Sequence, residues 1–160
     1  MGATKSGCDR QMAEAKKIVF RLLKYRPRSE QEIRIKLKDK GMGESAASGC
    51  LQYFASLGLL NDRLFARGWI ASRIRKPVGI KRIRNELRQK GIAADIIQDE
   101  CAAALADYDE WQALQVAAQR RLKQYRCLDR RKAQQRLYAY LIRRGFPADL
   151  IFKTLKNMPS

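Results

Sequence analysis

The stretch Leu87-Arg88-Gln89-Lys90-Gly91-Ile92, "LRQKGI", reads as the end of a helix. Two near-copies stand elsewhere, "LKDKGM" at Leu37 to Met42 and "LIRRGF" at Leu141 to Phe146. A glycine just past a helix supplies the left-handed backbone that closes it, a conformation that strains a residue with a side chain. With Gly41, Gly91 and Gly145 in that place, the leucine four residues earlier (Leu37, Leu87, Leu141) meets the residue after the glycine (Met42, Ile92, Phe146). That is the apolar pair of a Schellman-type cap. Lys40, Lys90 and Arg144 set a cation at the negative helix end.

One turn before each leucine lies Ile33, Ile83 or Leu137, which gives each capped helix an apolar stripe. Beyond each glycine come Ala46–Ala47, Ile96–Ile97 and Leu150–Ile151, then Leu51, Cys101 and Leu155, the stripe of another helix. Ahead of each capped helix runs a further helical pattern: "MAEAKKIVFRLLKY", "DRLFARGWIASRIRK" and "EWQALQVAAQRRLKQY". The unit is helix, helix, glycine, helix, and it recurs at spacings of 50 and 54 residues, near the range of stacked helical repeats.

No alternating strand pattern competes. The expectation is an all-α fold of three tandem three-helix repeats, helix-turn-helix-like units in an elongated, curved array. A flexible N-terminus at 1–11 precedes repeats at 12–58, 59–107 and 108–158. Boundary signals agree. Ser29-Glu-Gln-Glu32 has the form of a capping box, Asn61 and Asp62 can cap the fourth helix, and Pro147 suits the first turn of the last. Helices of this length need tertiary packing to persist. Phe20, Tyr53, Phe54, Phe65, Trp69, Trp111, Tyr138, Tyr140 and Phe146 are therefore read as core or inter-repeat packing.

The chain carries 34 Lys and Arg against 16 Asp and Glu, a formal net charge of +18, which favours a polyanionic partner. The three parts 1–58, 59–106 and 107–160 carry +6, +5 and +7, so the charge does not come from a basic tail. Cys8, Cys50, Cys101 and Cys127 lie far apart and histidine is absent, so free thiols are expected and neither a metal site nor a cofactor. No run approaches 18 apolar residues and no signal-peptide pattern opens the chain, so a soluble cytoplasmic protein away from membranes is expected.

Histidine-based nucleophile systems and Gly-rich phosphate loops are missing, and no enzyme is indicated. The acidic stretch "ADYDEW" at Ala106 to Trp111 is better read as helix capping than as a magnesium site. The strongest functional signal is "RIRKPVGIKRIRNELR" at Arg73 to Arg88. Burial of Ile80, Ile83 and Leu87 would turn Lys81, Arg82, Arg84 and Arg88 to solvent, beside Arg73, Arg75 and Lys76. These seven cations have one carboxylate, Glu86, among them. A second cluster, Arg130, Arg131 and Lys132 with Arg120, Arg121 and Arg136 nearby, repeats the theme. Both are candidate filament- or nucleic-acid-binding surfaces.

The segments "LGLLNDRLFARGWIASRIRK" and "GIKRIRNELRQKGI" resemble the signature region of the RecX family, bacterial regulators of the RecA recombinase. The similarity runs from about Met12 to Met158. Gly58-Leu59-Leu60-Asn61-Asp62 and Phe65-Ala66 fall on the family's turn and helix start, and Ile83-Arg84-x-Glu86-Leu87-x-x-Lys90-Gly91-Ile92 follows its pattern. Leu64 replaces the usual Arg, and Pro77-Val78-Gly79-Ile80 replaces the usual Gly-aromatic-Gly-Pro link. The resemblance implies a monomeric, non-enzymatic cytoplasmic regulator that lodges in the groove of the RecA filament on single-stranded DNA. It would limit filament growth, and so lower ATP hydrolysis, strand exchange and repressor cleavage in DNA repair and the SOS response. Double-stranded DNA is a further expected partner. The alternative reading is a stand-alone basic helical-repeat DNA- or RNA-binding protein. Against it, the third helices start "GESAAS", "AADII" and "PADLI", with little to offer base edges.

Overall fold

A computed structural model describes residues 3–157, with side chains from residue 9. The end of the third repeat at Met158 lies outside the described residues. Among them are nine α-helices and no strand: α1 Ala3–Tyr25, α2 Glu30–Asp39, α3 Glu44–Ser56, α4 Asp62–Ile74, α5 Ile80–Gln89, α6 Ala94–Ala104, α7 Glu110–Leu122, α8 Arg130–Arg143 and α9 Ala148–Lys156. A short 3-10 turn, Lys123–Tyr125, prolongs α7. Of the lead-in, the described residues from Ala3 are the start of α1, which runs unbroken to Tyr25, ahead of Pro27.

The three repeated endings are Schellman caps. Gly41 N–H donates to the Lys38 carbonyl and Met42 N–H to that of Leu37; Gly91 and Ile92 do the same to Arg88 and Leu87, and Gly145 and Phe146 to Ile142 and Leu141. All three glycines have φ between 73° and 85°. A fourth such cap closes α3 at Gly58, φ 67°, with Leu59 donating to Phe54.

Each unit has its own core. Ile33 and Leu37 pack with Val19, Leu51 and Phe54; Ile83 and Leu87 with Phe65, Ile70 and Ile97; Leu137 and Leu141 with Leu114, Phe146 and Ile151. Leu60 belongs to the first core, two residues past the expected boundary. Two aromatics assigned to core or inter-repeat packing stay at the surface: Phe20 is 63% and Tyr53 42% exposed, with the Tyr53 ring edge-on to Phe54.

Units meet through helix ends, and the same joint is made twice. Between the first and second units, Ser29 Oγ donates to the Lys90 carbonyl at 2.6 Å and Glu30 N–H to Asp62 Oδ1 at 2.9 Å. Between the second and third, Gly79 N–H donates to the Arg144 carbonyl at 2.9 Å and Ile80 N–H to Glu110 Oε1 at 2.7 Å. In both, the first residue of the later unit's first helix satisfies the first amide of the earlier unit's second helix, one of the donors a helix leaves open. Asp62, expected beside Asn61 as a cap for α4, caps α2 across the joint. Asn61 alone accepts from the α4 backbone, at Leu64 N–H.

The capping box at Ser29 is half made. Its hydroxyl accepts from Glu32 N–H, while the Glu32 carboxylate turns to Arg26 at 3.0 Å and Lys90 at 2.5 Å. Burial works to raise that carboxyl, but the hydrogen bonds from Arg26 and Lys90 outweigh it and bring it down to about 2.

Candidate functional site

The Arg73 to Arg88 run is divided by the fold. Arg73 and Arg82 both turn onto Glu86, at 2.5 and 2.9 Å, and the Trp69 indole N–H donates to the same carboxylate at 3.0 Å. Arg73 also lies over the Trp69 ring, 4.3 Å from its centroid. Burial alone would raise the Glu86 carboxyl, yet these hydrogen bonds hold it below the usual range. Arg73 is half-buried, and these two cations serve the fold of the second unit.

Arg75 and Lys76 are exposed but belong to another surface. With Arg120 they line an open cleft of about 370 Å³ between the end of α4 and α7, opposite Asp107 and Asp109.

What remains on the solvent face of α5 is Lys81, Arg84 and Arg88, all exposed, with Ile83 and Leu87 fully buried beneath. None of the three forms an ion pair among the described residues; Arg88 donates to Asn85 Oδ1 at 2.7 Å. The α8–α9 turn flanks this face. A cleft of about 660 Å³ is walled by Lys81, Arg82, Gln89, Arg143 and Phe146, and one of about 420 Å³ by Lys81, Arg84, Arg88, Glu110 and Pro147. Gly145 borders both. The carboxylates that line them, Glu86 and Glu110, already accept hydrogen bonds from the chain itself, so the clefts present cations to an incoming anion. Arg143 is a member that charge counting on α5 alone does not reveal.

The second cluster stays apart. Arg130, Arg131 and Lys132 are exposed on the first turn of α8, where Asp129 caps the helix and lies 3.5 Å from Lys132. The turn that lines the α5 clefts is at the opposite end of α8, about 20 Å along a 14-residue helix.

The link that departs from the usual pattern, Pro77 to Ile80, is part of the second joint. The Val78 carbonyl accepts from the Tyr108 hydroxyl at 2.6 Å and the Pro77 carbonyl from Arg144 at 3.0 Å. "ADYDEW" therefore works as capping and as a joint: Asp109 accepts from Gln112 N–H, and burial raises the Glu110 carboxyl while the Ile80 amide works against that rise. Among the described residues no group of three or more acidic or cysteine side chains could hold a metal ion. None of their helices is long and apolar enough to cross a membrane.

Comparison with known proteins gives one consistent result. Family models match in chain order: the first three-helix domain of RecX at residues 15–54, the second at 61–99 and the third at 107–155. Similar proteins include the regulatory protein RecX of Prosthecochloris aestuarii, 35% identical over 150 residues, covering 91% of this chain and 96% of the relative. That of Streptomyces coelicolor is 31% identical over 145 residues, covering 90% and 77%. A crystal structure of a regulatory protein RecX superposes with a TM-score of 0.79 at 25% identity over 95% of this chain and 74% of that one. RecX from Lactobacillus salivarius, at 22% identity and a TM-score of 0.74 over 94% and 99% of the two chains, shares the fold.

Proposed function

The chain belongs to the RecX family of regulatory proteins, and from that premise we propose that it restrains the RecA recombinase by occupying the groove of the RecA filament on single-stranded DNA. The observation that carries this reading is the α5 face: Lys81, Arg84 and Arg88, without ion pairs among the described residues and set between two clefts with Arg143 opposite. A tandem array of units joined end to end offers one long surface of fixed direction, which suits a helical groove. Its positive charge suits a filament whose DNA is a dense anion.

The protein acts by occupancy, as a non-enzymatic cytoplasmic monomer. Blocking filament extension lowers ATP hydrolysis, strand exchange and the stimulation of repressor cleavage together, because all three depend on the same assembly. Arg130, Arg131 and Lys132 form a second contact on the filament or its DNA.

The test is a titration of the protein into the recombinase of its own organism on single-stranded DNA, following ATP hydrolysis. The rate falls at substoichiometric or near-equal amounts. A flat rate while the protein still binds single-stranded DNA would support the stand-alone nucleic-acid binder.

A further inference from the structure

A second run of positive charge, in which Arg26 pairs with Glu32, lies at the end of α1. From Lys16 to Arg28, thirteen residues hold six Lys and Arg and no Asp or Glu. Ala15 and Val19 are buried in the first core, with Ile18, Leu22 and Leu23 packed at its edge. Helical spacing then leaves Lys17, Phe20, Arg21 and Lys24 on the opposite face, and all four are exposed. Tyr25 follows at the helix end, 82% exposed. None of Lys17, Arg21 and Lys24 forms an ion pair among the described residues. On the neighbouring α3, Tyr53 exposes its ring beneath Lys16, whose ammonium lies 3.6 Å from the centroid.

A phenylalanine left in water forgoes the burial that stabilises Phe54 and Phe65 in the cores. Flat apolar rings set among unpaired cations match a partner that offers phosphates and unstacked rings together. Single-stranded nucleic acid has both, and base stacking on aromatics tolerates any sequence. A duplex keeps its base faces covered, and an acidic protein surface would meet the cations while leaving the rings without a counterpart.

We propose that the outer face of α1 is a contact for single-stranded nucleic acid, with Phe20 and Tyr25 stacking on bases and Lys17, Arg21 and Lys24 meeting phosphates. The assignment goes beyond the α5 reading, since it concerns a different unit and requires no recombinase.

The test is fluorescence anisotropy of the full chain with a labelled oligothymidylate and with an abasic oligomer of the same length, at fixed salt. The double variant Phe20→Ala/Tyr25→Ala loses about tenfold or more in affinity for oligothymidylate, as alanine substitution at stacking sites does. Its affinity for the abasic oligomer is unchanged, and Phe20→Tyr/Tyr25→Phe restores wild-type binding. Both rings are on the surface, so an unaltered melting temperature accompanies the loss. Equal loss on the two oligomers, or no loss on either, overturns the assignment. So does a variant that keeps its DNA affinity while inhibiting the recombinase less, which would make this face a protein contact.

Discussion

A side chain on Gly79 would place its Cβ 2.1 Å from the carbonyl carbon of Gly145, so two glycines 66 positions apart share one point of contact between units. At Gly145 the constraint is double, since φ is 85° and an added Cβ would lie 2.4 Å from that of Arg82. Gly91 stands likewise against Gln31, whereas Gly41 has nothing within 4 Å.

Alanine at these caps should therefore fall into two classes. Gly41→Ala meets only the left-handed backbone and costs about 1 kcal/mol. Gly91→Ala and Gly145→Ala meet the same strain and also push a joint apart, with a larger loss of stability. Chemical denaturation of the three variants checks the ranking, and a Gly41→Ala loss as large as the others would contradict it.

Acid should loosen the first joint. Glu32 titrates at about 2 when folded, below its ordinary value of 4.5, so its contribution is complete above about pH 4.5 and fades as the pH falls toward about 2. Glu32→Gln is expected to melt a few degrees below wild type at pH 7, with the two curves converging near pH 2. Parallel melting curves across that window would show that Glu32 does not supply the pH dependence.

Reversing charge on the α5 face should weaken inhibition without unfolding. Lys81→Glu/Arg88→Glu is the informative pair, because Arg82 also braces Glu86 and the Gly145 turn. ATPase inhibition drops severalfold or more, helicity by circular dichroism stays constant, and the salt dependence of nucleic-acid binding becomes shallower by roughly the number of phosphates that the variant no longer neutralises. Full inhibition by the variant would move the binding surface elsewhere.

The cysteines should divide by burial. Desolvation raises the thiols of Cys50 and Cys101, although Arg84 partly opposes it at Cys101, and both are buried, while Cys127 is exposed. Brief alkylation followed by peptide mapping finds Cys127 modified, with Cys50 and Cys101 protected until the protein unfolds.

Leu87, Gly91 and Ile92 made the caps legible in the sequence because a helix ending is local: all its partners lie within six residues. The fold class followed from repeating it. Gly58 escaped the same reading because phenylalanine and leucine stand where the other caps begin and close. The joints were not legible at all, since Ser29 and Lys90, or Gly79 and Arg144, are matched only in space. The departure at Pro77 to Ile80 is a linker by its letters and a contact by its geometry. For the candidate site, the charge of the Arg73 to Arg88 run was plain. Its division was not, because spacing along one helix does not tell that Glu86 gathers Arg73 from another. Phe20 and Tyr53 were misassigned for the same reason: an aromatic on an amphipathic helix is read as core until the opposite wall of that core is known.

The repeated joint gives the molecule a grammar. Each joint has a plug, the start of the earlier unit's second helix, and a socket, the carbonyl and glycine that end the later unit's second helix together with the acid, Asp62 or Glu110, that opens its first. The middle unit uses both, whereas among the described residues nothing comes within 4 Å of a Cβ placed on Gly41. Such a molecule has a head and a tail, and its modules are ordered by fit. A second copy of the middle module spliced beside the first would meet a ready partner on either side, while exchanging the outer two would set the middle unit's plug against a helix, α1, that no acid opens.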